Sequence, residues 1–90
     1  MARLEFTGPF LDELAELGER AADEVLRKLE LVGSFPGVGC AVSNSFLVQA
    51  FGEGVLKISA GEYDVFYCRV SGDGDEIVYV LSVIHQRRIR

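Results

Sequence analysis

The stretch Ile77-Val78-Tyr79-Val80-Leu81-Ser82-Val83-Ile84 constrains this chain more than any other segment. It is apolar at every position but one and rich in β-branched residues, so it reads as a strand buried in the core. The run ends abruptly in His85-Gln86-Arg87-Arg88. A rigid strand that delivers an imidazole and two guanidiniums at its end presents cations where a phosphate or an acidic partner meets them. A strand leaving the core into a solvated basic tail gives the same pattern. This segment alone does not choose between the two.

Ninety residues suit one domain, taken as 1–90, with one core and a thin stability margin. Arg3-Leu4-Glu5-Phe6-Thr7 alternates polar and apolar residues and reads as a short strand. Thr7-Gly8-Pro9 then starts a helix, with Pro9 in the first turn, where its missing N–H costs nothing. Asp12 and Glu13 suit the positive end of that helix dipole. Phe10, Leu11, Leu14 and Leu17 recur at helical spacing; Ala21, Ala22, Val25, Leu26, Leu29 and Val32 resume it after Gly18. Glycine in mid-helix costs roughly 1 kcal/mol relative to alanine, so two helices bent at Gly18 fit better than one rod. Gly33 and Pro36 end the second.

Beyond the connector at 33–45 the period changes to two. Phe46–Phe51 and Val55–Ser59 read as strands around a Gly52-Glu53-Gly54 turn. Tyr63–Val70 is a further strand, and Ser71–Asp75 is a hairpin loop leading into the last one. A calcium loop needs more ligands at longer spacing. The expected architecture is α+β: two N-terminal helices packed on a small, mainly antiparallel twisted sheet.

Charge and motifs exclude more than they identify. The net charge is −5, and residues 11–30 hold seven acids against three bases. A chain this acidic is no general polyanion binder, so any nucleic-acid contact is local and C-terminal, at Arg87, Arg88 and Arg90. Glycine-rich phosphate loops, paired metal-ligand motifs and nucleophile motifs are missing, and there is one histidine. No metal and no cofactor are expected. Cys40 and Cys68 lie in apolar contexts without CxxC spacing and read as buried free thiols. No run approaches the ~18 apolar residues of a membrane span, and the N-terminus lacks a basic region followed by an apolar one. A cytoplasmic protein without a membrane partner is expected.

Gly61-Glu62-Tyr63-Asp64-Val65-Phe66-Tyr67, followed by Val83-Ile84-His85-Gln86-Arg87-Arg88, resembles the RelE/ParE superfamily of type II toxin–antitoxin toxins. Pro36-Gly37-Val38-Gly39 and Phe51-Gly52-Glu53-Gly54-Val55-Leu56-Lys57 agree with the same pattern, and the resemblance spans residues 3–88. It implies a toxin silenced by a cognate antitoxin in a hetero-oligomer. RelE-like members cut mRNA at the ribosome; ParE-like members inhibit DNA gyrase. For the nuclease branch the resemblance implies Lys57, His85 and Arg87 as the catalytic set. For a target-binding toxin Arg87, Arg88 and Arg90 are the expected contacts, and Arg69, which shares a strand face with Tyr63, Val65 and Tyr67 if the strand is regular, is a further candidate. Asp64 stands where the family usually has Arg, and a carboxylate there opposes phosphate binding. That departure, the overall acidity and the bare Arg-Arg ending favour the ParE-like plasmid-stabilisation branch. An attenuated member that binds only its antitoxin is the remaining alternative. The antitoxin is expected to dock as an amphipathic helix beside the acidic helices or as an added strand.

Overall fold

The computed structural model describes residues 2–72 and 74–89. In chain order its elements are β1 (Arg3–Phe6), α1 (Gly8–Ala15), α2 (Glu19–Ser34), β2 (Cys40–Ala41), α3 (Ser45–Phe51), β3 (Leu56–Ala60), β4 (Tyr63–Ser71) and β5 (Glu76–His85). A closing 3-10 turn, Gln86–Ile89, follows β5 directly. The strands form one sheet ordered β1-β5-β4-β3-β2. β5 therefore has a neighbour on each edge, parallel β1 and antiparallel β4, and both its faces are packed, Val78, Val80 and Val83 in one cluster and Leu81 and Ile84 against the other, which is why its sequence lacks an exposed half.

Helices α1 and α2 cover one face. Phe10, Val25, Leu29 and Val32 pack there against Ala60, Val65, Tyr67, Val78, Val80 and Val83. The Thr7 hydroxyl caps α1, accepting from Phe10 N at 3.4 Å and donating to Val80 O at 2.9 Å, so the helix start is tied to β5. Gly18, in extended conformation, separates α1 from α2 as the sequence predicts.

The second face is where the structure departs from expectation. Phe46–Phe51 belongs to helix α3, not to a strand. Asn44 caps it, its side-chain oxygen accepting from Phe46 N at 2.9 Å and Leu47 N at 3.3 Å. Gly52 ends it at φ +93°, a left-handed conformation that suits glycine. Helical spacing places Leu47 and Phe51 together over β4, where the Phe51 and Phe66 rings stack at 5.3 Å. Phe46, on the outside of α3, stays 75% exposed. The packing of Leu47 with Val55 and Phe66 overrides the strand preference of the local sequence.

The cysteines are a second correction. Both are free thiols, but Cys40 is exposed on the edge strand β2 and Cys68 only half-buried. Among the described residues, no helix is long and apolar enough to cross a membrane.

Candidate functional site

The ladder between β3, β4 and β5 decides which predicted side chains can meet. Lys57 pairs with Phe66, whose ring belongs to the α3 face, whereas His85 pairs with Tyr63 on the face covered by α1 and α2. Successive strand residues point to opposite faces, so Lys57 and His85 lie on opposite sides of the sheet. Arg69 shares the α2 side with Tyr67, as expected, but stands six residues from Tyr63 along β4, roughly 20 Å at strand rise. Arg87 and Arg88 follow His85 in the closing turn. Arg90 lies outside the described residues. The fold brings together His85, Arg87 and Arg88 and leaves Arg69 far from them, while Lys57 reaches the carboxylate of Asp64 that also binds Gln86 of the closing turn, on the opposite face from His85.

Most of these cations face carboxylates of the same chain. Lys57 Nζ is 3.9 Å from Asp64 Oδ2. His85 Nε2 is 3.7 Å from Glu62 Oε2, and its ring stands edge-on to Tyr63 at 5.1 Å. Its Nδ1 accepts a hydrogen bond from Arg87 N at 3.1 Å, which places the proton of the neutral ring on Nε2, toward Glu62. Arg69 pairs with Glu76 on the neighbouring strand. Arg87 and Arg88 are exposed and form no ion pair among the described residues.

The Arg69–Glu76 pair has a consequence in acid. The Arg69 guanidinium, by hydrogen bond, holds the Glu76 carboxyl below its ordinary 4.5. A depressed carboxylate value stabilises the fold above pH 4.5 and loses that contribution as pH falls through the lower folded value. Glu76→Gln should therefore flatten the fall of the melting temperature below pH 4.5, and an unchanged slope would show that the pair does not matter.

Three residues not foreseen from sequence build the surroundings. Glu13, read from the sequence as a dipole partner, bonds to β5 instead: its Oε1 accepts from Ser82 Oγ at 2.7 Å and Val83 N at 3.2 Å. Gln86 fastens the closing turn to the β3–β4 turn, donating from its backbone N to Glu62 O at 2.9 Å and from Nε2 to Asp64 Oδ1 at 3.1 Å. Glu62 supplies the partner of His85. These contacts join residues about 22 to 70 positions apart, beyond the reach of any local spacing signal. Between α1 and the end of β5 lies a groove of about 350 Å³ lined by Glu13, Glu16, Leu17, Tyr63, His85 and Arg88, among others. No group of three or more His, Cys, Asp or Glu side chains able to hold a metal occurs among the described residues.

Comparison with known proteins agrees with this architecture. A family model described as the ParE toxin of the type II toxin–antitoxin system parDE matches residues 4–90. The fold is similar to the toxin–antitoxin complex RelBE2 from Mycobacterium tuberculosis (TM-score 0.72, 21% identity, 93% of this chain and 96% of that one). It is similar to the YoeB/ParE toxin from Agrobacterium tumefaciens (TM-score 0.70, 11% identity, 92% and 97%). It is also similar to the intact E. coli RelBE toxin–antitoxin complex (TM-score 0.68, 22% identity, 92% and 94%). No curated protein gives a significant match.

Proposed function

Because the chain belongs to the ParE toxin family of type II toxin–antitoxin systems, we propose that it inhibits growth by binding a macromolecular target, with DNA gyrase the candidate, and that a cognate antitoxin silences it. The carrying observation is the contrast among its cations. Lys57, Arg69 and His85 each lie within ion-pair distance of a carboxylate of the chain itself, whereas Arg87 and Arg88 are exposed on a held turn and form no ion pair among the described residues, Arg88 lining the groove beside α1. Free guanidiniums on a fixed support suit bidentate contact with carboxylates or phosphates of a partner.

The alternative, an mRNA endoribonuclease using Lys57, His85 and Arg87, requires these groups around one phosphate in a constellation held to a fraction of an ångström. Lys57 and His85 on opposite faces of the sheet speak for binding over cutting. The structures of toxin–antitoxin complexes among the similar folds support an antitoxin partner in a hetero-oligomer.

Inducible expression in a bacterial host separates the readings. Filamentation with DNA damage is expected, whereas rapid loss of translated mRNA would favour the nuclease and harmless expression an attenuated member. The double variant Arg87→Ala, Arg88→Ala should weaken affinity for purified gyrase by about 100-fold or more, the scale of two lost charge-assisted contacts at about 1.5–3 kcal/mol each. Wild-type affinity in that variant would move the contact surface elsewhere.

A further inference from the structure

Deepening this reading and resting on it, we infer that Asp64 is a positioning residue that fixes the closing turn through Gln86 and so sets where Arg87 and Arg88 stand. In the family that the chain resembles this position usually carries Arg, and a carboxylate there opposes phosphate binding. The structure gives it a different part. Its side chain is 8% exposed, and a carboxylate so deeply buried needs donors. Ser59 Oγ and Gln86 Nε2 both donate to Oδ1 at 3.1 Å, and Lys57 Nζ lies 3.9 Å from Oδ2.

The three partners differ in what they add. Ser59 and Lys57 sit on β3, which the backbone ladder already registers against β4, so their bonds to Asp64 satisfy charge without fixing anything new. Gln86 belongs to no strand. Its backbone N donates to Glu62 O at 2.9 Å and its amide to Gly61 O at 3.3 Å, which locates the turn; the bond to buried Asp64 sets the orientation of the Gln86 side chain. Arg87 N, bonded to His85 Nδ1, continues from that anchor. Two arginines on an untethered tail would lose backbone and rotamer freedom on binding, and a turn held before binding avoids much of that loss. Asp64 therefore acts on affinity without touching the target.

The test uses the full chain in four variants, Asp64→Ala, Asp64→Asn, Gln86→Ala and Arg87→Ala with Arg88→Ala, each read by growth inhibition on induction and by amide hydrogen exchange. Asp64→Ala and Gln86→Ala should speed exchange of the Arg87 amide by about 10-fold and raise the inducer dose needed for inhibition by about 5-fold. Asp64→Asn keeps a carbonyl acceptor for Ser59 and Gln86 and should stay within about twofold of wild type in both. Gln86 is outside the sheet, so its variant keeps the fold if Asp64→Ala does not. If the arginine variant loses inhibition while Asp64→Ala and Gln86→Ala keep it in full, the positioning role is overturned and the target reading stands. If the arginine variant inhibits like wild type, or wild type is harmless, the target reading falls, and exchange at Arg87 alone decides whether Asp64 holds the turn.

Discussion

Replacing Tyr67 by alanine should remove about 3–5 kcal/mol of stability, the scale for deleting a buried aromatic ring. A domain of this length has only about 5–13 kcal/mol to lose, so the variant should be largely unfolded at modest urea concentrations. Tyr67 is fully buried, its ring in the core beneath α2. Its hydroxyl donates to Pro36 O and accepts from Gly39 N, both at 2.9 Å, which stitches the α2–β2 connector to β4. Gly39 fits there because it lacks a Cβ; an added one would lie 2.7 Å from Lys57 O. Tyr67→Phe isolates the hydroxyl and should cost about 1–3 kcal/mol. Burial holds the Tyr67 phenol above its ordinary 10.0, outweighing the pull of the Gly39 N–H in the other direction. A phenol value raised by folding contributes stability below pH 10.0 that is lost as pH rises through the folded value. Tyr67→Phe should thus unfold less steeply in alkali than wild type. Equal urea midpoints for Tyr67→Phe and wild type would show that the connector is held by other means.

Glu13→Ala should be the second large loss, about 2–4 kcal/mol, because two donors lose one charged acceptor. β1 pairs with β5 only as far as Val80, so the β1-side edge of β5 beyond it has no strand neighbour. Glu13, reaching down from α1, takes over from the missing strand by accepting from Val83 N and from the buried Ser82 hydroxyl. Glu13→Gln keeps the acceptor oxygen without the charge and should recover more than half of the loss. Amide exchange gives the local readout: the Val83 amide should exchange faster in Glu13→Ala and near the wild-type rate in Glu13→Gln. Unchanged protection of Val83 in Glu13→Ala would refute this account.

Most of the fold was legible because periodicity reports burial directly. The apolar run of β5, the alternation around β4 and the 3.6-residue spacing of α1 and α2 each depend on neighbours within the same element. Helix α3 was misread because a seven-residue element offers barely two turns of pattern, and Phe46, Val48 and Phe51 have strand preference. The boundary signals were nevertheless present: Asn44 before the apolar run and Gly52 after it are a cap and a stop. For the candidate site, sequence supplied the cations but not their partners. Asp64, Glu62 and Glu76 meet Lys57, His85 and Arg69 across neighbouring strands, so which charges are spoken for depends on strand order and register. The cysteines failed for a similar reason, since apolar neighbours in sequence do not place a residue away from a sheet edge.

The strand that joins the two parts of the sheet is the fifth in chain order. β1, α1 and α2 precede it by some forty residues or more, yet β1 has no strand partner other than β5, and α1 rests chiefly on β5. The contacts of β1 and α1 with β5 join distant parts of the chain and form later than the β3-β4-β5 hairpins, because a longer loop must be ordered before those contacts reward it. The β2-β3-β4 half of the sheet can pair by itself, whereas β1 and α1 find their places only once β5 lies between them and β4.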